Sequence, residues 1–400
     1  MKILMLGWEL PPHNSGGLGI ACLELSKAMA SAGADISFIL PYSSDMRYDF
    51  MEVIGASEAT EPIPYAAGVY DSYKYMLDGG GSINLGLHDQ QALYAHRVGR
   101  LSEKLTFDVV HAHDWLTFRA ALLLKEKHNC PIVLHVHSIE RDRAGGQDGN
   151  PFVREIEAES MLLADHVFAV SQRTKDMIVE DYGIPADKIE VAHNSIDLEA
   201  FEFPDADNAY KYLSWLKQRG WRVVTNAGRL TVQKGLTHLL AAAKEVVARQ
   251  PKTIFLIVGG GEMREELIRL AAENGIGANV IFTGFQRGKQ LRDAFSVADL
   301  FVLPSISEPF GLTPFEAAGY GTPSLISRQS GASEVLRNCL KVDYWDINLM
   351  ADRIVGALRS QPLLDELSRN AQEEFYRLSW NDTASKILRR YENVLTGAAA

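Results

Sequence analysis

Short apolar runs alternate along the chain with longer stretches in which apolar residues recur every three or four positions. The short, β-branched runs predict buried strands, and the longer stretches, such as KGLTHLLAAAKEVVARQ (234–250), predict amphipathic helices. The predicted strands are residues 2–6, 34–40, 107–113, 131–137, 166–170 and 188–192, followed by residues 222–228, 253–260, 279–284, 300–305 and 322–327.

Strands that alternate with helices at this spacing predict parallel sheets covered by helices on both faces. The alternation breaks at residues 198–221, where an acidic, turn-rich segment precedes a short aromatic helix. We therefore predict an α/β protein with two doubly wound, Rossmann-like domains, residues 1–200 and 201–380, facing a deep cleft. The stretch 381–396 is helical in pattern, but it follows the last predicted strand and has no sheet position of its own.

Composition narrows the class of protein. A chain of 400 residues exceeds one ordinary core, and its 46% hydrophobic and 23% charged residues are typical of a globular protein. The net charge of -11 disfavours nucleic acid or an anionic membrane surface as the main partner.

The apolar runs are too short for stable membrane insertion, and glycine and prolines interrupt the first residues too early for a signal peptide. The three scattered cysteines predict no disulfide framework, so we expect a cytoplasmic protein.

Two loops at predicted strand ends carry candidate phosphate-binding groups. Gly16 and Gly17, in NSGGLG (14–19), open a helix whose amino terminus attracts anions, although a glycine-rich turn also serves as a plain tight connection. Arg229 and Lys234 lie five residues apart in the loop after the first strand of the second half. Two such cations suit a diphosphate clamp, and the alternative is a pair of solvated charges.

A third loop, SEPFGLTPFE (307–316), contains two glutamates. Because the residue before a proline avoids helical dihedrals, Glu308 is predicted to be extended. Thr313 is predicted to be a helix N-cap, with Pro314 at the first helical position and Glu316 at the capping-box position.

The amides of Gly311, Leu312 and Thr313 would then lie at a helix amino terminus that favours phosphate. Carboxylates hold sugar hydroxyls by charge-assisted hydrogen bonds, so Glu308 and Glu316 on either side predict a nucleotide-sugar site. The alternative for Glu316 is a cap without a ligand.

The motifs together resemble those of the retaining glycosyltransferases of family 4, which have the GT-B fold, and are similar to those of glycogen and starch synthases. The resemblance runs nearly end to end and is carried by GGLG (16–19), HAHDW (111–115), HVHS (135–138), VSQRTKDMI (170–178), NSID (194–197), GRLTVQKG (228–235), GGGE (259–262), SEPFGLTPFEA (307–317) and GASEV (331–335).

The resemblance implies a role for each matched position. It implies that the carboxylates and cations bind the donor, that His137 lies beside the transferred sugar, and that Asp114 lines the acceptor side. The final helix would cross back to complete the first domain, and no metal or cofactor would be required. The implied catalytic residues are His137, Glu308, Asp114, Arg229 and Lys234. Within the implied donor site, the distal phosphate would lie at Gly16 and Gly17, the diphosphate at Arg229 and Lys234, the base at Gly284 and Phe285, the hexose at Glu308 and the ribose at Glu316. The remaining implied donor-binding residues are Phe310, Gly311, Leu312 and Thr313.

The resemblance predicts transfer of a hexose, glucose first, from UDP- or ADP-glucose to a glycan acceptor such as a glycogen chain, by a same-face mechanism without metal. One alternative is a family 4 transferase that acts on a lipid-linked, cell-surface or small-molecule sugar. The segments 65–81 and 138–152 are predicted acceptor-side loops that do not identify the acceptor. The donor base, the sugar, the acceptor and the oligomeric state stay open.

Other classes of function also fit parts of the pattern. A sugar-nucleotide epimerase, a phosphorylase or a nonenzymatic sugar-nucleotide sensor would share the fold. A metallohydrolase is a further alternative, because two pairs of histidines two residues apart lie at adjacent strand ends: His111, His113, His135 and His137. The competing interpretation of these four residues is a set of hydrogen-bonded core histidines.

Overall fold

The computed structural model describes residues 1–13, 16–42, 45–56, 60–61, 74–76, 82–84, 86–198, 201–202 and 207–397. Its chain divides into two compact units. Unit 1 is Met1–Glu140, Asp148–Ser195 and Ser379–Ala400, and unit 2 is Arg141–Gln147 and Ile196–Leu378. Of the predicted acceptor-side loop 65–81, only residues 74–76 are among the described ones.

Unit 1 is built on a parallel sheet of seven strands in the order β10-β9-β8-β7-β1-β2-β3, with a separate antiparallel sheet in the order β4-β5-β6. The strands described in this unit are β1 (Lys2–Leu6), β2 (Asp35–Leu40), β3 (Glu52–Gly55), β4 (Thr60–Glu61), β5 (Lys74–Met76), β6 (Ser82–Asn84), β7 (Val109–His113), β8 (Ile132–Val136), β9 (His166–Ala169) and β10 (Ile189–Val191).

Helices follow most strands of the large sheet, and both of its faces are buried. Successive residues of β1 enter two different cores, Leu4 and Leu6 on one face and Ile3 and Met5 on the other, because side chains alternate along a strand. The helices up to β10 are α1 (Gly17–Ser31), α2 (Leu87–Leu101), α3 (Trp115–His128), α4 (Glu140–Arg143), α5 (Pro151–Leu163) and α6 (Gln172–Tyr182).

Unit 2 has a parallel sheet of six strands in the order β13-β12-β11-β14-β15-β16. Its described strands are β11 (Arg222–Ala227), β12 (Thr253–Val258), β13 (Val280–Gly284), β14 (Leu300–Leu303), β15 (Ser324–Ser327) and β16 (Leu340–Val342). Its helices are α7 (Lys211–Lys217), α8 (Leu236–Arg249), α9 (Arg264–Glu273), α10 (Gly288–Val297), α11 (Thr313–Gly319), α12 (Ala332–Val335), α13 (Ile347–Arg359) and α14 (Gln361–Phe375). Short 3-10 turns are Ser102–Lys104, Ala186–Lys188, Val232–Lys234 and Gly277–Asn279.

The last helix, α15 (Trp380–Thr396), is part of unit 1. Its buried residues Trp380, Ala384, Ile387 and Tyr391 recur every three or four positions and join the core of α1. The orphan helical stretch therefore covers the sheet of the first half of the chain.

The eleven predicted strands all occur, which confirms the two parallel-sheet, Rossmann-like architecture. The pattern missed five of the described strands: β3 and β16 in the two parallel sheets, and β4, β5 and β6 of the separate antiparallel sheet. Of these, β3 and β16 lie at the edges of the parallel sheets and are mostly half-exposed, so they lack the continuous apolar run that marks a central strand. In the described part of the chain, no helix is both long and apolar enough to span a bilayer.

Candidate active site

In unit 2, the loops after β11 and β12 pack against each other through glycines. A Cβ atom on Gly259 would lie 1.8 Å from the carbonyl oxygen of Gly228, and one on Gly261 would lie 2.5 Å from that of Leu230. Both glycines have positive φ, 143° and 154°. The GGGE motif is therefore required for close backbone approach, and this approach fixes the loop that carries Arg229.

Lys234 and Glu308 form an ion pair between the loops after β11 and β14. The ammonium Nζ lies 2.6 Å from Glu308 Oε2, and the Ser305 hydroxyl donates to the same oxygen at 3.0 Å. The side chains are 18% and 8% exposed, so the pair is largely removed from water. Gly235 allows the approach, because a Cβ there would lie 2.1 Å from the Pro304 carbonyl oxygen.

The backbone of Glu308 is extended, in agreement with the prediction from the following proline. Its amide donates to the Gln329 carbonyl and its carbonyl accepts from the Gly331 amide, both at 2.9 Å, which makes a parallel bridge to Ser330. Gly311 has φ 90°, and a Cβ there would lie 2.9 Å from Glu308 Cγ. The tight turn thus holds the glutamate stem in one position.

The predicted cap of α11 is wrong. The helix begins at Thr313 with Leu312 as N-cap, and no side-chain hydrogen bond caps it. Leu312 already has helical dihedrals, φ -80° and ψ -29°, so the helix starts one residue earlier than predicted. Thr313 is therefore a helical residue, and Glu316 does not complete a capping box.

Glu316 lies in the first turn of α11 and is only partly accessible. Desolvation by burial raises the pKa of its carboxyl to about 7. The Glu316 charge also contributes to the raised pKa of Tyr320, about 12, after burial of that phenol. Phe310, in contrast, is buried and stacks on Phe315 with 5.4 Å between ring centroids, so its side chain belongs to the core.

Three further predicted donor positions, Arg229, Gly284 and Phe285, are at least partly accessible. Arg229 is partly exposed and makes no ion pair with any residue that the structure describes. Gly284 ends β13 with φ 74°, and its carbonyl accepts from the Gly259 amide at 2.9 Å. The next residue, Phe285, is 57% exposed, and the Arg287 guanidinium lies 4.9 Å from its ring centroid. The loop thus presents an aromatic face at the end of its strand.

In unit 1, the glycine-rich turn leads into α1 with Gly16 as N-cap and Gly17 as the first helical residue. The helix amino terminus already has an anionic partner, because buried Glu9 accepts from the Gly19 amide at 3.1 Å. The sequence analysis did not identify Glu9. Its position as an acidic residue between the first strand and the glycine-rich turn could have indicated a partner for the helix amino terminus. A carboxylate there satisfies one of the free amides that a phosphate would otherwise bind.

Asp114 lies between β7 and α3 with φ 58° and ψ 165°. Its Oδ1 accepts hydrogen bonds from the amides of His137, at 2.6 Å, and Ser138, at 3.2 Å. An aspartate with positive φ is uncommon and costs backbone strain, so the surrounding contacts must hold it there. The carboxylate fixes the loop that follows β8.

The four predicted histidines form one stack across β7 and β8. Neighbouring rings lie 4.4 to 5.5 Å apart, and the planes of His111, His113 and His135 are within 25° of parallel. Tyr391 hydrogen-bonds to His111 Nδ1, and His113 Nδ1 lies 3.0 Å from His137 Nε2. Burial lowers the pKa of all four, that of His137 to about 3, so the rings are neutral at pH 7.

Two groups of these residues bring possible metal ligands within 4.8 Å of one another: Cys22, His113 and His137, and His111, His113 and His135. An imidazole donates its lone pair in the plane of its ring. Nearly parallel stacked planes do not meet close to their nitrogens, so one ion cannot lie in the planes of two stacked rings. In the first group, the facing nitrogens of His113 and His137 already share a hydrogen bond. The geometry therefore favours core histidines over a metal site.

The chain matches two families of known proteins. Residues 15–200 match the family described as "Glycosyltransferase Family 4", and residues 214–374 match "Glycosyl transferases group 1". It is 31% identical to a glycogen synthase of Mycobacterium tuberculosis, over 84% of this chain and 80% of that one. It is 27% identical to an uncharacterized glycosyltransferase of Methanocaldococcus jannaschii, over 98% of both chains.

Solved structures share the fold. The sucrose-phosphate synthase of Thermosynechococcus elongatus superposes with a TM-score of 0.82 at 20% identity, over 99% of this chain and 100% of that one. The Anabaena protein HepE, solved with UDP-glucose, superposes with a TM-score of 0.74 at 18% identity, over 98% and 100%.

Proposed function

Because the chain belongs to glycosyltransferase family 4, we propose that it transfers glucose from UDP- or ADP-glucose to the end of an α-glucan chain, with retention of the α-configuration. The donor class is supported by HepE, which was solved with UDP-glucose, and the acceptor class by the related glycogen synthase.

The observation that carries the proposal is the arrangement of opposite charges at the strand ends of unit 2. Lys234 and Glu308 are paired at 2.6 Å, and Arg229 extends from the same loop as Lys234 without an ion-pair partner among the described residues. Two cations beside a carboxylate suit a ligand with a diphosphate at one end and sugar hydroxyls at the other. The exposed ring of Phe285 suits the base, and Glu316 suits the ribose.

The proposed reaction follows from this charge distribution. The bond between the anomeric carbon and the diphosphate oxygen breaks while Lys234 and Arg229 stabilise the growing phosphate charge. The acceptor hydroxyl forms the new bond on the same face, and its proton passes to the departing phosphate oxygen. His137 contacts the sugar in this proposal, and no metal is required.

The proposal is tested by a donor screen with glycogen and maltooligosaccharides, with products followed by mass. We expect a gain of one hexose per transfer, and proton NMR of the product should show a new α-linkage. A β-anomer would refute retention. If every glucan is inert and a lipid-linked or small sugar accepts the hexose, the acceptor is wrong while the transfer chemistry stands.

A further inference from the structure

We propose that His113 is a positioning residue for His137, fixing the orientation of its imidazole and coupling its tautomer to that of His113 through their shared hydrogen bond. The bond leaves Nδ1 as the ring atom of His137 that is able to meet a ligand. This inference rests on the proposed function, since it takes His137 to contact the transferred sugar.

The first argument is that two consecutive residues hold both parts of His137. His113 Nδ1 lies 3.0 Å from the ring atom Nε2, and Asp114 Oδ1 accepts from the backbone amide at 2.6 Å. His113 ends β7 opposite His135 of β8, and its buried ring lies nearly parallel to the rings of His111 and Phe38, with centroids at 4.5 and 6.3 Å. A fully buried ring among closely packed aromatic neighbours cannot rotate freely, so its nitrogen is a fixed partner.

The second argument comes from the count of protons. A neutral imidazole carries one N–H, and burial lowers the pKa of both rings far enough that each is neutral at pH 7. If His113 Nδ1 donates, then His137 Nε2 is bare and its proton is on Nδ1. If His137 Nε2 donates, then His113 Nδ1 is bare and its proton is on Nε2. The two rings must therefore adopt the same tautomer, either both Nδ1–H or both Nε2–H.

The third argument concerns the two ring nitrogens of His113 and His137 that do not take part in their shared hydrogen bond. Nε2 of His113 and Nδ1 of His137 are buried and have no hydrogen-bond partner in the described part of the chain. Buried polar atoms without partners are rare in native proteins, and a catalytic role is one of the reasons for which they are retained. Because the bond couples the two tautomers, the tautomer of His113 determines whether Nδ1 of His137 offers a donor or an acceptor.

The stacking contact can be separated from the hydrogen bond within the same cluster. His135 stacks on His137 with 4.4 Å between centroids, closer than His113 at 5.2 Å, but neither nitrogen of His135 is hydrogen-bonded among the described residues. His135→Phe therefore keeps a ring in the stack and removes no bond to His137. It is the matched control for His113→Phe, which keeps a ring and removes the bond.

The test compares these two variants with His113→Asn, whose amide group is the same number of bonds from the backbone as Nδ1. We expect His113→Phe to lower kcat by about tenfold to a hundredfold, as for a small misplacement of a contact group. The Kd for UDP should stay unchanged, since His137 contacts the sugar and not the nucleotide. His113→Asn should restore most of kcat, and His135→Phe should match the wild type. Wild-type kcat in His113→Phe, or an equal loss in His135→Phe, would overturn the proposal.

A second measurement needs no variant to fold and no turnover. Two-bond 15N–1H ring correlations of histidine-labelled wild-type protein report the tautomer of each ring. We expect His113 and His137 in the same tautomer, and opposite tautomers would refute the bond. If the wild type transfers no sugar from any donor, the proposed function fails by itself, while this spectrum still decides whether His113 fixes His137.

Discussion

The ammonium of Lys234 lies 2.6 Å from Oε2 of Glu308, and the Ser305 hydroxyl shares that oxygen. The lysine proposed for the diphosphate and the glutamate proposed for the hexose are therefore each other's partner before a ligand binds. A donor that brings its own phosphate charge would draw Lys234 from the pair and free a Glu308 oxygen for a hydroxyl. The ion pair holds both side chains in place until then.

Lys234→Ala is expected to lower kcat about a hundredfold, or about 3 kcal/mol, because it removes one group that stabilises the leaving diphosphate. Lys211→Ala is the matched control, since this lysine pairs with Asp207 on an open surface where both side chains are 74% exposed. Steady-state kinetics with the preferred donor decide the outcome. Equal kcat values in the two variants would remove Lys234 from the reaction.

Nucleotide binding is expected to depend on the ionisation of Glu316. Burial raises the pKa of this carboxyl to about 7, and the charged form is the better acceptor for ribose hydroxyls. Affinity for UDP should therefore fall as the pH drops below 7, by at most tenfold per unit. Titration calorimetry at pH 6 and pH 8 measures the effect. The Glu316→Gln variant should bind more weakly at pH 8 and lose this dependence, and wild-type affinity in the variant would exclude the ribose role.

The same carboxyl should also cost stability at high pH. Its pKa is above the ordinary 4.5, so the folded state binds more protons than the unfolded state between pH 4.5 and 7. The contribution of the neutral carboxyl to the free energy of unfolding is therefore fully present below pH 4.5. It is lost as the pH rises through 7, because the buried carboxyl must then ionise. Because Glu316 does not cap α11, Glu316→Gln should stabilise the protein at pH 8 by on the order of 2 kcal/mol. Urea unfolding measures this, and a loss of stability would show that the charged form makes a favourable contact.

Acid is expected to unfold unit 1 through the histidine stack. Burial lowers the pKa of all four rings below the ordinary 6.5, so the unfolded chain binds more protons below that pH. The contribution of the neutral rings to the free energy of unfolding is then fully present above pH 6.5. It falls with acidification by about 1.4 kcal/mol per pH unit for each ring. The buried thiol of Cys22 and phenol of Tyr391 have raised pKa values, so they stay neutral and do not offset the new charge.

Urea unfolding between pH 5 and 7 measures this slope. His135→Phe removes one titrating ring, so its slope should be smaller than that of the wild type by about one proton. An identical slope in the variant would mean that His135 is not forced to stay neutral in the fold.

Transfer activity is expected to survive exhaustive treatment with EDTA. The stacked planes of the histidines do not direct two nitrogens at one point, and the best-placed pair is already hydrogen-bonded. Metal analysis of the purified protein should find less than one ion per chain. Stoichiometric zinc, with activity lost to the chelator and restored by the metal, would favour the hydrolase instead.

The sequence predicted the central strands well, because strands buried on both faces read as continuous apolar runs. TIFLIV occupies β12 and is buried along its whole length. The edge strands β3 and β16 were not predicted, because half-exposed runs of three or four residues carry no periodicity. The predicted cap at Thr313 was wrong because the start of a helix depends on backbone dihedrals. Leu312, the residue before Thr313, already has helical dihedrals.

The local backbone of the candidate site was predictable where a neighbouring residue or a missing side chain constrains it. Gly311 has positive φ, and Glu308 is extended before a proline, and both constraints are visible in the sequence. Hydrogen-bond partners were not predictable, because Ser305 meets Glu308, and Glu9 meets the amide of Gly19, only after the loops have folded. The motif HAHDW likewise does not reveal that Asp114 holds the amide of His137.

The two units are discontinuous in the gene, and this affects any exchange of parts between relatives. The chain leaves unit 1 after Glu140, returns at Asp148, leaves again after Ser195 and returns at Ser379. Within unit 2, buried Asp142 binds the Ser307 hydroxyl at 2.5 Å, beside Glu308. A chimera joined at residue 196 would therefore inherit α15 and residues 141–147 from the wrong parents. Unit 2, the half proposed to bind the donor, can be exchanged cleanly only if its two stretches of coding sequence, residues 141–147 and 196–378, are moved together.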